Sequence, residues 1–215
     1  MKNYDYLLFD LDGTLTDPGE GITNSVMHAL GKWGIEVKDR RELYSFIGPP
    51  LSVSFKKFYG FSEDDALKCV EYYREYFRNK GIFENKLYDG IESLLGELKK
   101  SGKILILATS KPEIFAKRIL DHFDLTKYFD FVAGASMDES RNKKADVIRY
   151  ALDLAQITDL SRAIMIGDRD QDILGAKATG LDSLGVLYGY GDREELEGAG
   201  ATYIAETVED ILSFV

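Results

Sequence analysis

The chain has little of what builds a disulfide framework or crosses a membrane. Its 215 residues include a single cysteine, Cys69. It therefore has no internal disulfide and suits a reducing compartment. Its longest aliphatic runs, such as ILILA at 104–108, are as long as a strand and too short to span a bilayer. The printed sequence opens without the basic, apolar and small-residue pattern of a signal peptide. We therefore expect a cytoplasmic protein with no membrane partner.

The chain also lacks an excess of basic residues. Lys and Arg number 27 against 37 Asp and Glu, which gives a formal net charge of −10. Binding to a nucleic acid polymer needs a basic face, so that class of partner is excluded. A small anionic substrate stays compatible, because a local pocket can be positive on an acidic protein. The sequence leaves the oligomeric state open between a monomer and a homodimer.

Apolar patterning predicts an α/β domain with a parallel sheet. Residues 4–9 form a buried strand-like run, and from residue 88 onward helix-like and strand-like segments alternate. Further strands are predicted at 103–109, 129–134, 163–168 and 182–189, with helices between them and a last helix at 207–215. Strands that are apolar on both faces and alternate with helices are typical of a Rossmann-like sheet covered by helices.

Residues 17–84 contain helical patterns alone. After the breaker GPP at 48–50, a long helix is predicted to begin at the N-cap Ser62, with Asp65 three residues later. We therefore predict one α/β domain formed by 1–16 and 85–215, interrupted by an all-helical domain at 17–84. The aromatic stripe YYREYF at 72–77 is interpreted as the core of that helical domain.

Polar side chains collect where the predicted strands end. Because ligands bind beyond the carboxyl ends of parallel strands, we expect these side chains to meet at one edge of the sheet. They are Asp10, Asp12 and Gly13 after the first strand, Thr109, Ser110 and Lys111 after the second, Lys143 and Lys144 before a helix, and Asp168 and Asp170 after the strand at 163–168.

Together these residues resemble the motifs of the haloacid dehalogenase (HAD) superfamily, in particular its phosphatases with a helical cap. LLFDLDGTLTD at 7–17 is similar to the first motif, LILATSK at 105–111 to the second, and IGDRDQD at 166–172 to the fourth. The third motif is a lysine, which NKKADVIRYAL supplies. The segments FIGPPL at 46–51 and LYDGI at 87–91 resemble the phosphoglycolate phosphatase and 5′-nucleotidase-like branch.

The resemblance implies a Mg²⁺-dependent phosphatase that acts on a small phosphorylated metabolite through an aspartyl-phosphate. It makes Asp10 the nucleophile and Asp12 the general acid and base. Mg²⁺ is expected on the Asp10 carboxylate, the Asp12 backbone carbonyl and Asp168, with Asp172 supporting the site. The expected phosphate-binding groups are Thr109, the Ser110 backbone N–H and Lys144, with Gly13 allowing a close backbone turn and Gly48 approaching the substrate from the cap.

Several alternatives stay open at this point. Lys143 competes with Lys144 as the motif lysine, and Lys111 and Arg169 are interpreted as surface or supporting residues. The expected substrate is a small soluble organophosphate, such as a nucleoside 5′-monophosphate or 2-phosphoglycolate. A phosphosugar mutase is the first alternative function, although Ile22 stands where such enzymes usually carry a histidine. A catalytically silent HAD scaffold that only binds is the second, and it predicts a missing motif acid, which the sequence does not show.

Overall fold

The computed structural model describes residues 3–138 and 140–215. Its strands and helices, in chain order, are β1 Tyr6–Phe9, β2 Thr16–Asp17, α1 Gly19–Gly31, α2 Leu51–Tyr59, α3 Glu63–Phe77, β3 Lys86–Leu87, α4 Ile91–Lys100, β4 Ile104–Pro112, α5 Glu113–His122, β5 Phe131–Ala135, α6 Lys144–Leu154, β6 Ala163–Gly167, α7 Asp170–Thr179, β7 Asp182–Val186, α8 Arg193–Ala199 and β8 Tyr203–Ala205. Short 3-10 helices occupy Arg40–Phe46, Gly81–Phe83, Thr126–Tyr128, Leu160–Arg162 and Glu209–Ser213.

Six strands form one sheet in the order β5-β4-β1-β6-β7-β8. The pairings of this sheet are parallel, and Phe9 at the end of β1 lies beside Leu107 of β4 and Ile166 of β6. The strand order reverses at β1, since the chain builds outward through β4 and β5 and then returns to β6 on the other side. Such a reversal opens a crevice at the carboxyl ends of the strands. The predicted α/β class is confirmed.

One apolar cluster packs a face of this sheet against α6 and α7. Leu8, Ile106 and Met165 point to that face, where they meet Val147 and Ala176 of the two helices. These side chains are fully buried, and truncating one large member to alanine typically costs about 2–5 kcal/mol. The strands are therefore a firm support for the polar residues that follow them.

Contacts along the backbone divide the chain into two compact units, Met1–Thr16 with Leu87–Val215, and Asp17–Lys86. The second unit contains α1, α2 and α3 around an aromatic core in which the rings of Phe46 and Phe55 lie 5.1 Å apart. The predicted cap of α3 is confirmed, because the Asp65 N–H donates to Ser62 Oγ at 3.2 Å. The short strands β2 and β3 pair as a separate two-stranded sheet.

Some elements differ from the sequence prediction. The sequence pattern predicts neither the helix α8 nor the strand β8, and the predicted last helix at 207–215 is a 3-10 helix, Glu209–Ser213. α8 buries one side chain, Leu196, and β8 is three residues long, so neither carries a periodic apolar pattern. Over residues 3–138 and 140–215, no helix is long and apolar enough to cross a membrane.

Candidate active site

Asp10 and Asp168 leave neighbouring strands side by side. Asp10 directly follows β1, and its backbone N–H donates to the Ile166 carbonyl of β6 at 2.9 Å. Asp168 directly follows β6. Both residues are buried, at 4% and 0% exposure. The parallel register alone therefore brings two acids together at the carboxyl edge of the sheet.

A third carboxylate comes from the first turn of α7. Asp172 accepts from the Arg169 backbone N–H at 3.1 Å, so it caps the helix while it faces the site. Carboxylate oxygens of Asp10, Asp168 and Asp172 lie within 4.8 Å of one another. This cluster of hard oxygen donors can hold a divalent metal ion.

The raised pKa values of Asp168 and Asp172 indicate repulsion between the carboxylates of the cluster. Burial, followed by the charges of Asp172 and Asp10, raises the pKa of Asp168 well above its ordinary range. Burial also raises the pKa of Asp172 to about 6, although the nearby Lys144 ammonium opposes the shift. A bound cation would relieve this repulsion, which fits a metal site.

Lys144 supplies a buried positive charge at this cluster. Lys144 is the first residue of α6 and is buried on the same face of the helix as Val147, Ile148 and Ala151. The packing of this apolar face therefore brings the lysine to the carboxyl edge of the sheet. Its Nζ lies 2.8 Å from Asp10 Oδ1 and 2.6 Å from Asp172 Oδ1. Burial by itself lowers the pKa of Lys144, but the Asp10 and Asp172 charges outweigh it and hold that pKa above its ordinary value.

The turn after β1 passes close to Asp168. Gly13 has φ +85°, and a Cβ at this position would lie 2.1 Å from Asp168 Oδ2. The Thr14 hydroxyl donates to Asp168 Oδ1 at 3.3 Å. Only glycine gives both the backbone angle and the space needed here.

Asp12 lies outside the three-carboxylate cluster and pairs with a different lysine. Its Oδ2 is 2.7 Å from Lys111 Nζ. Among the residues that the structure describes, the buried Asp12 Oδ1 has no hydrogen-bond partner. Burial raises the pKa of Asp12; the Lys111 charge opposes this shift and the Asp10 charge adds to it. Of the two interpretations offered for Lys111, a surface or a supporting residue, the surface position is ruled out, since Lys111 is 9% exposed.

The end of β4 supplies hydroxyl groups. Thr109 is buried, and its Oγ1 accepts from the Lys111 backbone N–H at 3.2 Å. Ser110 Oγ is a buried atom that has no hydrogen-bond partner in the described part of the chain. Both hydroxyls belong to the segment at 105–111 that resembles the second motif of the family.

The loop after β7 completes the surroundings of Asp168, and the sequence reasoning did not identify it. The Tyr190 backbone N–H donates to Asp168 Oδ2 at 2.8 Å, and the Tyr188 hydroxyl donates to the Thr14 carbonyl at 2.9 Å. Glu195 of α8 pairs with Arg169 at 2.8 Å. The strand-end rule applied to 182–189 would have indicated Tyr190, which follows that predicted strand. Tyr188 lies inside the predicted strand, and nothing in the local pattern indicates Glu195.

The structure brings most of the predicted residues together within one unit. The group that meets at the sheet edge is Asp10, Asp12, Gly13, Thr109, Ser110, Lys144, Asp168 and Asp172. Lys143 is the exposed residue before α6, and Lys144 is the lysine inside the cluster. Gly48 belongs to the helical unit, where its φ is +104°. Its role in binding substrate stays a prediction.

Comparisons with known proteins identify the family. The model of haloacid dehalogenase-like hydrolases matches residues 7–186. A 5′-nucleotidase of Pseudomonas aeruginosa is 45% identical over 93% of this chain and 90% of its own length. The tyrosine-protein kinase PtkA of Mycobacterium tuberculosis is 39% identical over 95% of this chain and 70% of its own. A crystal structure of a predicted phosphatase from Clostridium acetobutylicum has a TM-score of 0.96 and 52% identity, covering 98% of this chain and 97% of the other.

The chain belongs to the haloacid dehalogenase-like hydrolase family. The family resemblance is confirmed, and the predicted enzyme class, a hydrolase of the phosphatase type, is confirmed with it. The buried group Asp10, Asp168 and Asp172 fits the catalytic site of that family.

Proposed function

We propose that this protein is a Mg²⁺-dependent phosphatase that hydrolyses a small phosphate monoester through an aspartyl-phosphate at Asp10. The observation that carries the proposal is the setting of Asp10. Its carboxylate lies beside those of Asp168 and Asp172 within 4.8 Å, and it accepts a 2.8 Å bond from the buried Lys144. A lysine fixed in this way orients the nucleophile and adds positive charge where a phosphoryl group would arrive.

The donor set suits the proposed metal. Carboxylate oxygens are the ligands that Mg²⁺ prefers, and we propose that Asp10, Asp168 and the Asp12 backbone carbonyl hold it, with Asp172 in support. When bound, Mg²⁺ supplies positive charge that offsets the repulsion between the acids and an anionic substrate. Asp172 also holds the Lys144 ammonium at 2.6 Å, so it supports the site in two ways.

In the first step, an Asp10 oxygen bonds to phosphorus while the bond from phosphorus to the leaving oxygen breaks. Protonated Asp12 donates its proton to that leaving oxygen through Oδ1, the atom without a partner in the described residues. Thr109, Ser110 and Lys144 bind the phosphoryl oxygens. The products of this step are the free alcohol, phosphorylated Asp10 and ionised Asp12.

In the second step, water attacks the same phosphorus and the bond from phosphorus to Asp10 breaks. Ionised Asp12 takes the proton from the attacking water and returns to its starting state. Inorganic phosphate leaves, and the Asp10 carboxylate is restored. One buried acid thus serves both steps, since each needs a single proton moved at the same face of phosphorus.

The similarity to a 5′-nucleotidase favours a nucleoside 5′-monophosphate over 2-phosphoglycolate as the substrate. We propose that the helical unit acts as the cap that selects it. Gly48, in the GPP turn, is the proposed point of approach to the leaving group. Its positive φ of +104° makes it a tight turn that other residues rarely adopt.

The similarity to a tyrosine-protein kinase favours one second candidate, phosphoryl transfer to a tyrosine hydroxyl. With ATP as the donor, the first step would transfer its terminal phosphoryl group to Asp10 and release ADP, and the tyrosine oxygen would replace water in the second step and lose its proton to Asp12. Incubation with ATP separates the two functions. A kinase leaves phosphotyrosine on an added tyrosine-containing peptide and releases ADP, whereas a phosphatase specific for monoesters leaves that peptide unmodified and releases inorganic phosphate from p-nitrophenyl phosphate.

Steady-state turnover tests the proposal directly. We expect Mg²⁺-dependent release of p-nitrophenol from p-nitrophenyl phosphate, and faster turnover of at least one nucleoside 5′-monophosphate in a panel that includes 2-phosphoglycolate. Chelation of Mg²⁺ and the substitution Asp10→Asn should each abolish release. Equal rates for the wild type and Asp10→Asn would refute the nucleophile assignment.

A further inference from the structure

Lys111 reaches the site because β4 is irregular at its end. Thr109 pairs with Gly134 of β5, and Pro112 pairs with the next residue, Ala135. Ser110 and Lys111 are therefore two additional residues on β4 with no counterpart on β5. Bulges of this kind occur next to active sites, where they turn a side chain toward a new direction. Here Lys111 points to the turn after β1.

The lysine and Asp12 form a buried ion pair. Their side chains are 6% and 10% exposed, and Lys111 Nζ lies 2.7 Å from Asp12 Oδ2. A buried pair is expensive to desolvate, so its presence is weak support for a purely stabilising role. The geometry of the pair is more informative than its energy, because the contact with Lys111 is made through Oδ2 and so distinguishes the two carboxylate oxygens of Asp12.

We propose that Lys111 is a positioning residue that holds Asp12 by Oδ2 so that Oδ1 faces the reacting oxygens. The inference rests on the proposed acid-base role of Asp12. A carboxylate that turned freely about its Cβ–Cγ bond would present Oδ1 for only part of the time, first to the leaving oxygen and then to water. A fixed partner on Oδ2 removes that freedom before substrate binds.

The backbone strengthens the same arrangement. The Lys111 N–H donates to Thr109 Oγ1 at 3.2 Å, so the bulge fixes a proposed phosphate-binding hydroxyl and the lysine together. Asp12 lies in the turn after β1 and Thr109 lies on β4, and Lys111 contacts both residues. We expect this link to set the distance between the acid and the phosphoryl group.

A double-mutant cycle tests the inference. Lys111→Met keeps the length of the side chain and removes its charge. We expect turnover of an alkyl phosphate to fall by about 10–100-fold, less than the roughly 10²–10⁴-fold contributed by a whole general acid-base group, because Asp12 itself remains. The same substitution in an Asp12→Asn background should change turnover by less than about twofold, because Lys111 acts through Asp12. Lys111→Arg should recover part of the loss.

Rapid mixing with p-nitrophenyl phosphate gives a second readout. Its leaving group needs little protonation, so Lys111→Met should keep the initial burst of p-nitrophenol and lose the steady rate that follows. Lys103→Met is the matched control. Lys103 stands at the other end of β4 and donates to the Tyr4 carbonyl at 2.7 Å, so its loss should leave burst and steady rate unchanged.

Two outcomes would overturn the inference. In the double-mutant cycle, Lys111→Met could slow turnover by the same factor with and without Asp12. In rapid mixing, it could slow the burst and the steady rate equally. Either result would make Lys111 a phosphate ligand. These outcomes differ from failure of the proposed function, in which Asp12→Asn alone turns over an alkyl phosphate at the wild-type rate. The double variant, Asp12→Asn with Lys111→Met, leaves no unpaired buried charge from this pair. Its turnover, compared with that of Asp12→Asn, still tests the inference if Lys111→Met alone does not fold.

Discussion

Asp168 is enclosed by backbone on more than one side. The backbone turn at Gly13 lies close to Asp168 Oδ2, and the Tyr190 N–H donates to the same oxygen at 2.8 Å. A Cβ on Gly189 would also lie 2.4 Å from the Asp168 Cβ. Close backbone of this kind fixes the direction of a carboxylate more firmly than flexible side chains do.

Gly13→Ala tests whether that enclosure serves the metal. The added Cβ would displace Asp168, so Mg²⁺ affinity measured by titration calorimetry should fall and turnover should fall with it. The forced positive φ should also cost about 1–3 kcal/mol of stability.

Gly102→Ala is the matched control, with φ +81° and nothing within 4 Å of its added Cβ. It should lose stability by about 1–2 kcal/mol from the backbone angle alone and keep its Mg²⁺ affinity. If both variants bound Mg²⁺ as tightly as the wild type, Asp168 would not be held by the Gly13 turn.

At this scale the sequence predicts the acids well and Lys111 poorly. Asp10 and Asp168 follow apolar strands, so the rule of strand ends locates them without any coordinates. From the sequence, Lys111 is expected either to point outward from a regular strand or to begin an exposed helix. The irregular pairing with β5 turns it inward, and a pairing register is a property of two strands that one segment does not reveal.

α8 is a seven-residue helix that depends on one apolar contact. Leu196 is its only buried residue, while Glu195 accepts from Arg169 Nε at 2.8 Å and from the Asp170 N–H at 2.9 Å. These bonds tie α8 to the start of α7, next to Asp168. The helix therefore supports the catalytic edge from outside the sheet.

Leu196→Ala should destabilise the protein by about 2–4 kcal/mol, because it leaves a cavity under a short helix. Urea denaturation measures this change. The control is Leu174→Ala on α7, where the side chain is 48% exposed and the expected effect is within about 0.5 kcal/mol. Equal effects of the two substitutions would show that α8 is not anchored by Leu196.

Elements with a strong apolar period are recovered from the sequence, and elements held by their surroundings are not. The apolar pattern predicts α6, and the structure buries Lys144, Val147, Ile148 and Ala151 on one face of that helix. The sequence of α8, REELEGA, is mostly charged. Its helical conformation depends on the buried Leu196 and on the N-cap Asp192, whose side chain accepts from the Glu195 N–H at 2.8 Å. Tertiary contacts decide such short elements.

At the scale of the whole molecule, the chain forms two units, and its one cysteine reports on the helical one. Cys69 lies in α3 and is fully buried. Burial raises the pKa of its thiol from the usual value near 9 to about 11, although a hydrogen bond with Trp33 opposes the shift. The thiol is thus both protonated and covered under ordinary conditions.

We expect Cys69 to react with a disulfide reagent at pH 8 only when the helical unit opens, so the labelling rate should rise steeply with urea. Because the folded pKa is raised, the folded state loses stability as pH rises from about 9 to about 11. Cys69→Ala should remove this part of the pH dependence. Rapid labelling without denaturant would contradict the buried position.

The central claim is that Asp10 carries the phosphoryl group and Asp12 moves the protons. Asp12→Asn keeps the nucleophile and removes the base that activates water, so the aspartyl-phosphate should accumulate. The measurement is mass spectrometry of peptides after acid quenching of this variant with Mg²⁺ and p-nitrophenyl phosphate. The account predicts one phosphoryl group on the peptide that contains Asp10, and none in the variant that also carries Asp10→Asn. Release of p-nitrophenol with no phosphoryl group on Asp10, or with the group on another residue, would contradict it.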